Sequence, residues 1–199
     1  MTSGVTDRNR AKADRHAAIL QQAAALFAER GFSGVSLEDI GSAVGISGPA
    51  LYRHFAGKQA LLGAILVEVS ERLLSGGRTV VATHTGADAQ LDALIDFHVA
   101  FALHDADVIR VQDRDLASLS DEDRHTVRRL QREYVEVWIG ILSVVHPDRD
   151  DDDLRVRAHA CFGLINSTPH TVRVARSRAA EAADVRGILR SMARASLTA

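Results

Sequence analysis

Residues 36–58, SLEDIGSAVGISGPALYRHFAGK, constrain the fold of this chain more tightly than any other stretch. They read as two short helices joined by a tight turn, with a third helix opening behind them. Ser36 can cap the first helix with its hydroxyl while Asp39, three residues on, reaches back to close a capping box. Ile40, Ala43 and Val44 then share one face at helical spacing. Gly45 ends that helix, because glycine enters a left-handed conformation without steric penalty. Ser47 or Gly48 caps the second helix, and Pro49 stands in its first turn, where a missing N–H costs nothing. Leu51 and Phe55, four residues apart, face inward, leaving Ser47, Gly48, Ala50, Tyr52, Arg53 and His54 on the other faces. Small and hydrogen-bonding side chains on a short helix after a glycine turn suit the major groove of DNA.

With its flanks, the stretch ILQQAAALFAERGFSGVSLEDIGSAVGISGPALYRHFAGKQALL resembles the N-terminal region of the tetracycline-repressor (TetR) family of transcriptional regulators. The resemblance rests on LFAERGF at 26–32, the Ser36 cap, DIGSAVGIS at 39–47 and LYRHFAGKQALL at 51–62. It covers the start of the chain; the remainder carries little family signal beyond being helical.

Composition agrees with an all-α protein: only three prolines among 199 residues, with 46% apolar and 25% charged side chains. No run of eighteen apolar residues is present, so no membrane partner is expected, and the polar MTSGVTDRNR is not a secretory signal. One cysteine, Cys161, cannot form an internal disulfide, and a cytoplasmic location follows as the expectation. The net charge of −2 excludes a chain that is basic throughout. Between Arg8 and Lys58, however, seven cations face four anions, a local bias of the sign that DNA binding needs.

Residues 1–6 read as a disordered tip, and Arg8, Arg10, Lys12 and Arg15 lead into a first helix whose core stripe is Ile19, Ala23 and Leu26 or Phe27. Lys58 opens a long helix running to about Ser75, which Gly76 and Gly77 end. Further helices are expected over 88–104, with Leu91, Leu94, Ile95, His98, Val99 and Ala102 inward, and over 106–119. A helix capped at Ser120 runs to about Val145, one over 153–168 is kinked or ended by Pro169, and the last covers 179–197. The aspartates at 150–153 read as a solvated turn and helix start, because EF-hand spacing is absent. The division expected is a helix-turn-helix DNA-binding head at 8–56, joined by a long helix to a helical ligand-binding and dimerisation body at 57–199.

The TetR resemblance implies a homodimer in which each head offers its second short helix to half of a palindromic double-stranded DNA operator. Ser36, Tyr52, His54 and Lys58 would then contact phosphates, and Ser47, Gly48, Pro49 and Arg53 would read bases. Gly48 and Pro49 lack side-chain donors, so direct readout would be thin and DNA shape would carry part of the specificity. The body would enclose a pocket for a small apolar effector, lined by Phe97, His98, Phe101, Arg110, Tyr134 and Trp138, with His104, Gln112 and Asn166 as further polar contacts. Few aromatics and abundant Ala and Leu point to an aliphatic ligand such as an acyl-CoA or fatty acyl group. Ala160, Phe162, Gly163 and Ile165 would form the dimer interface.

The same residues leave a transcriptional activator of this family, or a helical scaffold that binds no DNA, as alternatives to a repressor. Enzymatic chemistry has no footing: no HExxH, CxxC, GxSxG or phosphate-cradling glycine loop occurs. No cofactor or metal is expected.

Overall fold

A computed structural model describes the backbone over residues 3–167 and 179–199, and the side chains there except those at 3–9, 11, 12, 48, 49 and 179–184. The expected break at Pro169 lies outside the described residues. Among them every regular element is a helix: α1 (Ser3–Arg30), α2 (Leu37–Ala43), α3 (Gly48–Tyr52), α4 (Lys58–Thr83), α5 (Ala87–His104), α6 (Ala106–Asp115), a 3₁₀ turn (Leu116–Ser118), α7 (Asp121–Val145), α8 (Asp151–Asn166) and α9 (Ala179–Thr198). The chain forms two compact units, one of residues 1–68 with 110–126 and the other of residues 69–109 with 127–199. Helices α4, α6 and α7 each contribute residues to both.

In the first unit, Ile19, Ala23 and Phe27 of α1 are fully buried with Ile40 of α2, Leu51 of α3 and Leu61, Leu62 and Leu66 of α4. Of the two candidates for the third stripe position, Phe27 is buried and Leu26 only half-buried. The helix breaks follow from backbone chemistry. Gly31 and Gly45 adopt φ of +81° and +67°, where a Cβ is strained, so α1 and α2 stop beside them. The Ser36 capping box forms in full. At the other end of the sequence span, Ser120 repeats the device for α7: its hydroxyl accepts from the Asp123 amide (3.1 Å) and donates to the Asp123 carboxylate (2.7 Å). The expected disordered tip is instead helical from Ser3.

Two long cations lock this unit. Lys58 Nζ donates to the carbonyls of Phe32 (2.7 Å) and Val35 (2.8 Å) and sits 4.5 Å from the Phe32 ring centroid. Arg114 of α6 donates to the carbonyls of Phe27 and Ala28 at the C-terminal turn of α1, and pairs with the buried Asp115 carboxylate at 3.0 Å. Lys58 thus ties down loop carbonyls between α1 and α2, and Arg114 adds donors to carbonyls in the last turn of α1.

In the second unit, the inward face expected for α5 is the one observed: Leu91, Leu94, Ile95, His98, Val99 and Ala102 are all buried. They meet Trp138 and Leu142 of α7, Leu154, Ala158, Cys161 and Ile165 of α8, and Leu189, Ala193 and Leu197 of α9 in the buried set of this unit. Arg194 and Arg190 of α9 reach Asp88, Asp92 and Asp96, which recur every four residues on α5 (2.5, 3.4 and 3.3 Å). Exposed pairs of this kind set register and contribute about 0–1 kcal/mol each.

The expected end of α4 at Gly76 and Gly77 is overturned, since the helix continues to Thr83. The two glycines instead allow close approach. A Cβ at Gly76 would collide with the Phe97 ring, and one at Gly77 would lie 2.6 Å from Tyr134 Cε2. Glycine is demanded here by what lies opposite, not by a turn.

Candidate functional site

The DNA-facing candidates divide by what already engages them. Tyr52, the last residue of α3, stands 56% exposed, whereas Leu51 beside it is fully buried. Neither the Tyr52 nor the exposed Arg53 side chain has a hydrogen bond or ion pair among the described residues, and the Ser47 hydroxyl makes no capping bond to α3. His54 is half-buried and tilted 6.5 Å from the Phe55 ring. Gly48 and Pro49 occupy the first turn of α3, and their side-chain surroundings are not among those described.

Ser36 and Lys58, both expected to donate to phosphates, already hold partners within the head. The Ser36 hydroxyl proton goes to the Asp39 carboxylate (2.7 Å), and its oxygen accepts from the Asp39 amide (3.1 Å). The Ser36 hydroxyl and the Ser36 backbone amide (2.8 Å) both donate to the Asp39 carboxylate and hold it below its usual range. Two of the three ammonium donors of Lys58 are taken by the Phe32 and Val35 carbonyls. Both residues therefore shape the frame that presents α3.

In the second unit, four of the six residues expected to line an effector pocket come together. His98 and Phe101 of α5 meet Tyr134 and Trp138 of α7, with His98 Nδ1 3.2 Å from the Tyr134 hydroxyl. Phe97 instead lies against Gly76, and Arg110 belongs to the first unit. The cluster gains a member that sequence reasoning had assigned to the dimer surface. Phe162 of α8 lies 4.8 Å from His98, 5.1 Å from Trp138 edge-on, and 5.7 Å from Tyr134 in a near-parallel stack.

Burial dominates the electrostatics of this cluster. It pushes the His98 pKa down to about 4, with Asn166 opposing weakly, and raises those of the Tyr134 phenol and, to about 11, the Cys161 thiol. All three are therefore neutral at pH 7. His98 Nε2, Trp138 Nε1 and Asn166 Oδ1 are buried without a partner at ordinary hydrogen-bond geometry, although the Asn166 side chain lies close enough to His98, and Trp138 to Tyr134, to act on their titration. Unpaired buried polar atoms are costly, on the order of 1–3 kcal/mol each, and are rare without a reason. Among the described residues, no three His, Cys, Asp or Glu side chains converge as metal ligands would, and no helix is long and apolar enough to cross a membrane.

The expected dimer residues also separate. Ala160 and Gly163 are exposed, and Gly163 has open space where a Cβ would stand. Ile165 is fully buried within its own chain, and the half-buried Phe162 joins the ring cluster at the edge of the core. The reason is helical phase. Leu154, Ala158, Cys161 and Ile165 form the inner stripe of α8, and Val156, Ala160 and Gly163 form the outer one. On α9 the residues exposed in the same sense are Ile188 and Met192, four apart; all three large outer residues, Val156, Ile188 and Met192, are about half exposed or more.

Comparison with known proteins decides the family. Residues 19–65 match the family model described as bacterial regulatory proteins, tetR family, and residues 84–170 match that of the tetracyclin repressor-like C-terminal domain. The chain is 31% identical over 162 residues to the HTH-type transcriptional repressor KstR2 of Rhodococcus jostii (strain RHA1), covering 78% of each protein. The chain belongs to the TetR family. Among solved structures it resembles a TetR-family regulator from Bordetella parapertussis 12822, at 26% identity and a TM-score of 0.72 over 78% of this chain and 82% of that one. It shares a fold with the regulator FadR from Bacillus subtilis in complex with stearoyl-CoA, with a TM-score of 0.66 at 18% identity, covering 90% and 94% of the two chains. As a TetR-family protein, the chain is a transcriptional regulator with a helix-turn-helix head and a helical C-terminal domain.

Proposed function

We propose that this TetR-family regulator is a cytoplasmic repressor released from a palindromic operator when an acyl-bearing effector enters its C-terminal body. Residues 8–56 read DNA, and residues 57–199 hold the effector and the partner subunit. Tyr52 and His54 contact phosphates, while Ser47, Arg53 and the first turn of α3 at Gly48 and Pro49 face base edges. Ser36 and Lys58 keep α2 and α4 in position and add phosphate contacts only through groups they have left over. A second copy of the chain covers the outer stripe of Val156, Ala160 and Gly163 together with Ile188 and Met192, a small-residue apolar surface suited to isologous packing.

The observation that carries the effector reading is the trio of unpaired buried atoms, His98 Nε2, Trp138 Nε1 and Asn166 Oδ1, in an otherwise aromatic cluster. A ligand that is mostly apolar and carries one polar function would satisfy them. The FadR relative by fold, solved with stearoyl-CoA, supports the same ligand class. Effector binding works by population shift: it favours a body conformation incompatible with operator binding, and its leverage equals its differential affinity for the two states. Helix α4, shared by the two units as α6 and α7 are, is one covalent link along which that change reaches the head.

The test is a titration against DNA flanking the protein's own gene, at several salt concentrations, with Tyr52→Phe and Arg53→Ala alongside. Selective binding with a steep salt slope, weakened by both substitutions and released by octanoyl-CoA, is expected. Binding that ignores sequence and both substitutions would refute the assignment of α3, and an octanoyl-CoA effect that tightens binding would refute release.

A further inference from the structure

Between α7 and α8 lies an open groove of about 480 Å³, lined by Arg128, Gln131, Arg132 and Val135 from α7 and by Arg155 and His159 from α8. All six residues belong to the second unit. Its charge is selective. Elsewhere on α7, Arg124 pairs with Asp121 and Arg129 with Glu133. Arg128 and Arg132, which line the groove one helical turn apart, have no hydrogen bond or ion pair among the described residues. Arg155 across the groove is held by Glu136 at 2.5 Å. Arg155 also lies near the Asp151 and Asp152 carboxylates, so the uncompensated charge at the groove is that of Arg128 and Arg132, neighbouring like charges on α7.

The groove adjoins the ring cluster. His159 stands edge-on to Phe162 with centroids 6.3 Å apart, and Phe162 in turn lies 5.1 Å from Trp138. A cationic rim, a buried valine floor and the His159 ring, with Phe162 behind it, match a molecule with an anionic head and an apolar arm. Guanidinium groups present planar, forked donors suited to phosphate oxygens, and their charge does not titrate in water.

We propose that this groove binds the phosphate-bearing head of the effector, which makes the effector an organic diphosphate with an acyl arm and not a free acid. The inference rests on the effector reading above and specifies its ligand class. Arg128 and Arg132 neutralise the head, Arg155 is oriented toward it by Glu136, and the arm passes Phe162 toward His98 and Trp138. Trp138, the single tryptophan of the chain, reports arm entry by its fluorescence.

The experiment uses the full-length protein with octanoyl-CoA, CoA, octanoate and inorganic pyrophosphate, read by calorimetry and by Trp138 fluorescence. The wild type is compared with an Arg128→Ala/Arg132→Ala double variant and with Arg129→Ala, whose partner lies outside the groove. The expected result is a loss of about tenfold or more in octanoyl-CoA affinity in the double variant only, as charge-assisted contacts to phosphate are removed. Pyrophosphate competes with octanoyl-CoA, and octanoate affinity does not distinguish the proteins. Equal octanoyl-CoA affinity in the wild type and the double variant would overturn the proposal. If octanoate quenches Trp138 but neither CoA nor pyrophosphate binds, the groove assignment fails while the effector reading stands. Arginine-dependent pyrophosphate binding with no response to either acyl compound would retain the phosphate site and remove the acyl effector. A double variant that loses operator affinity without ligand, or that dissociates into monomers, would make the groove a DNA or subunit surface and overturn the proposal.

Discussion

Gly77→Ala reads the close approach of α4 to the ring cluster directly. Gly77 lies in the interior of α4, where alanine would ordinarily stabilise the helix by about 1 kcal/mol. Its new Cβ would fall 2.6 Å from Tyr134 Cε2 and 3.2 Å from Cδ2. Carbon–carbon contact is comfortable from about 3.5 Å, so the ring must withdraw by roughly 0.9 Å. It has little room to do so. Tyr134 is 5% exposed, stacked on His98 and Phe162, and tied by its hydroxyl to His98 Nδ1. Overpacking of this kind costs about 1–3 kcal/mol, and a strained hydrogen bond adds about 1 kcal/mol. Set against the helix gain, the net expectation is destabilisation by about 1–3 kcal/mol.

Gly140→Ala is the matched control, since it lies in the interior of α7 with no atom within 4 Å of the new Cβ. It should stabilise by about 0.5–1 kcal/mol. Urea unfolding at one fixed protomer concentration, followed by circular dichroism and Trp138 fluorescence, reads both variants. In a Tyr134→Ala background, Gly77→Ala should stop being destabilising, with a coupling of about 2 kcal/mol. Equal gains at Gly77 and Gly140 would refute the close approach and, with it, the reason α4 carries glycine there.

Stability should fall on acidification through His98. Its folded pKa of about 4 lies below the ordinary 6.5, so protonation favours the unfolded chain. The contribution is complete above pH 6.5 and disappears as the pH drops to about 4, a loss of about 3 kcal/mol. His98→Gln should flatten the pH dependence of the unfolding free energy in that window, and an unchanged slope would remove His98 as its source. Ser36→Ala breaks the capping box of α2 and should cost about 1 kcal/mol in urea unfolding; no shift in midpoint would mean the cap contributes nothing. Arg114→Lys keeps the charge but not the fork that spans the Phe27 and Ala28 carbonyls, and should cost about 1–2 kcal/mol. Retention of full stability would show that charge alone suffices.

The parts of this fold legible in the sequence are those decided within one helical turn. The Ser36 and Ser120 caps, the φ-positive Gly45 and the inward face of α5 depend on residues three or four apart, and each is where periodicity and capping chemistry put it. The failures share the opposite property. Gly76 and Gly77 carry the same local signal as a helix stop, and only the rings of Phe97 and Tyr134, far along the chain, reveal a packing role. On α8, small residues occur in two phases. Choosing the inner stripe required knowing that Cys161 and Ile165 are buried while Val156 is 67% exposed. Alternation of Leu154, Ala158, Cys161 and Ile165 at four- and three-residue steps was the available signal, and it places Phe162 at the edge of the core.

Charge allocation makes the same point for function. In the sequence, Glu136 follows Arg132 by four residues and would neutralise it on an isolated helix. That order, base before acid, is the weaker orientation for such a pair, and in the folded unit Glu136 turns to Arg155 of α8. Arg132 is thereby left uncompensated beside Arg128. The uncompensated charge at the groove is thus created by a pairing between helices that no local rule specifies. The head differs in the same way: Lys58 reads as a phosphate contact by position, yet the carbonyls of Phe32 and Val35 claim two of its three donors. Sequence identified which residues carry charge and where helices begin. Tertiary competition for those charges decides which are spent on the fold and which remain for a ligand.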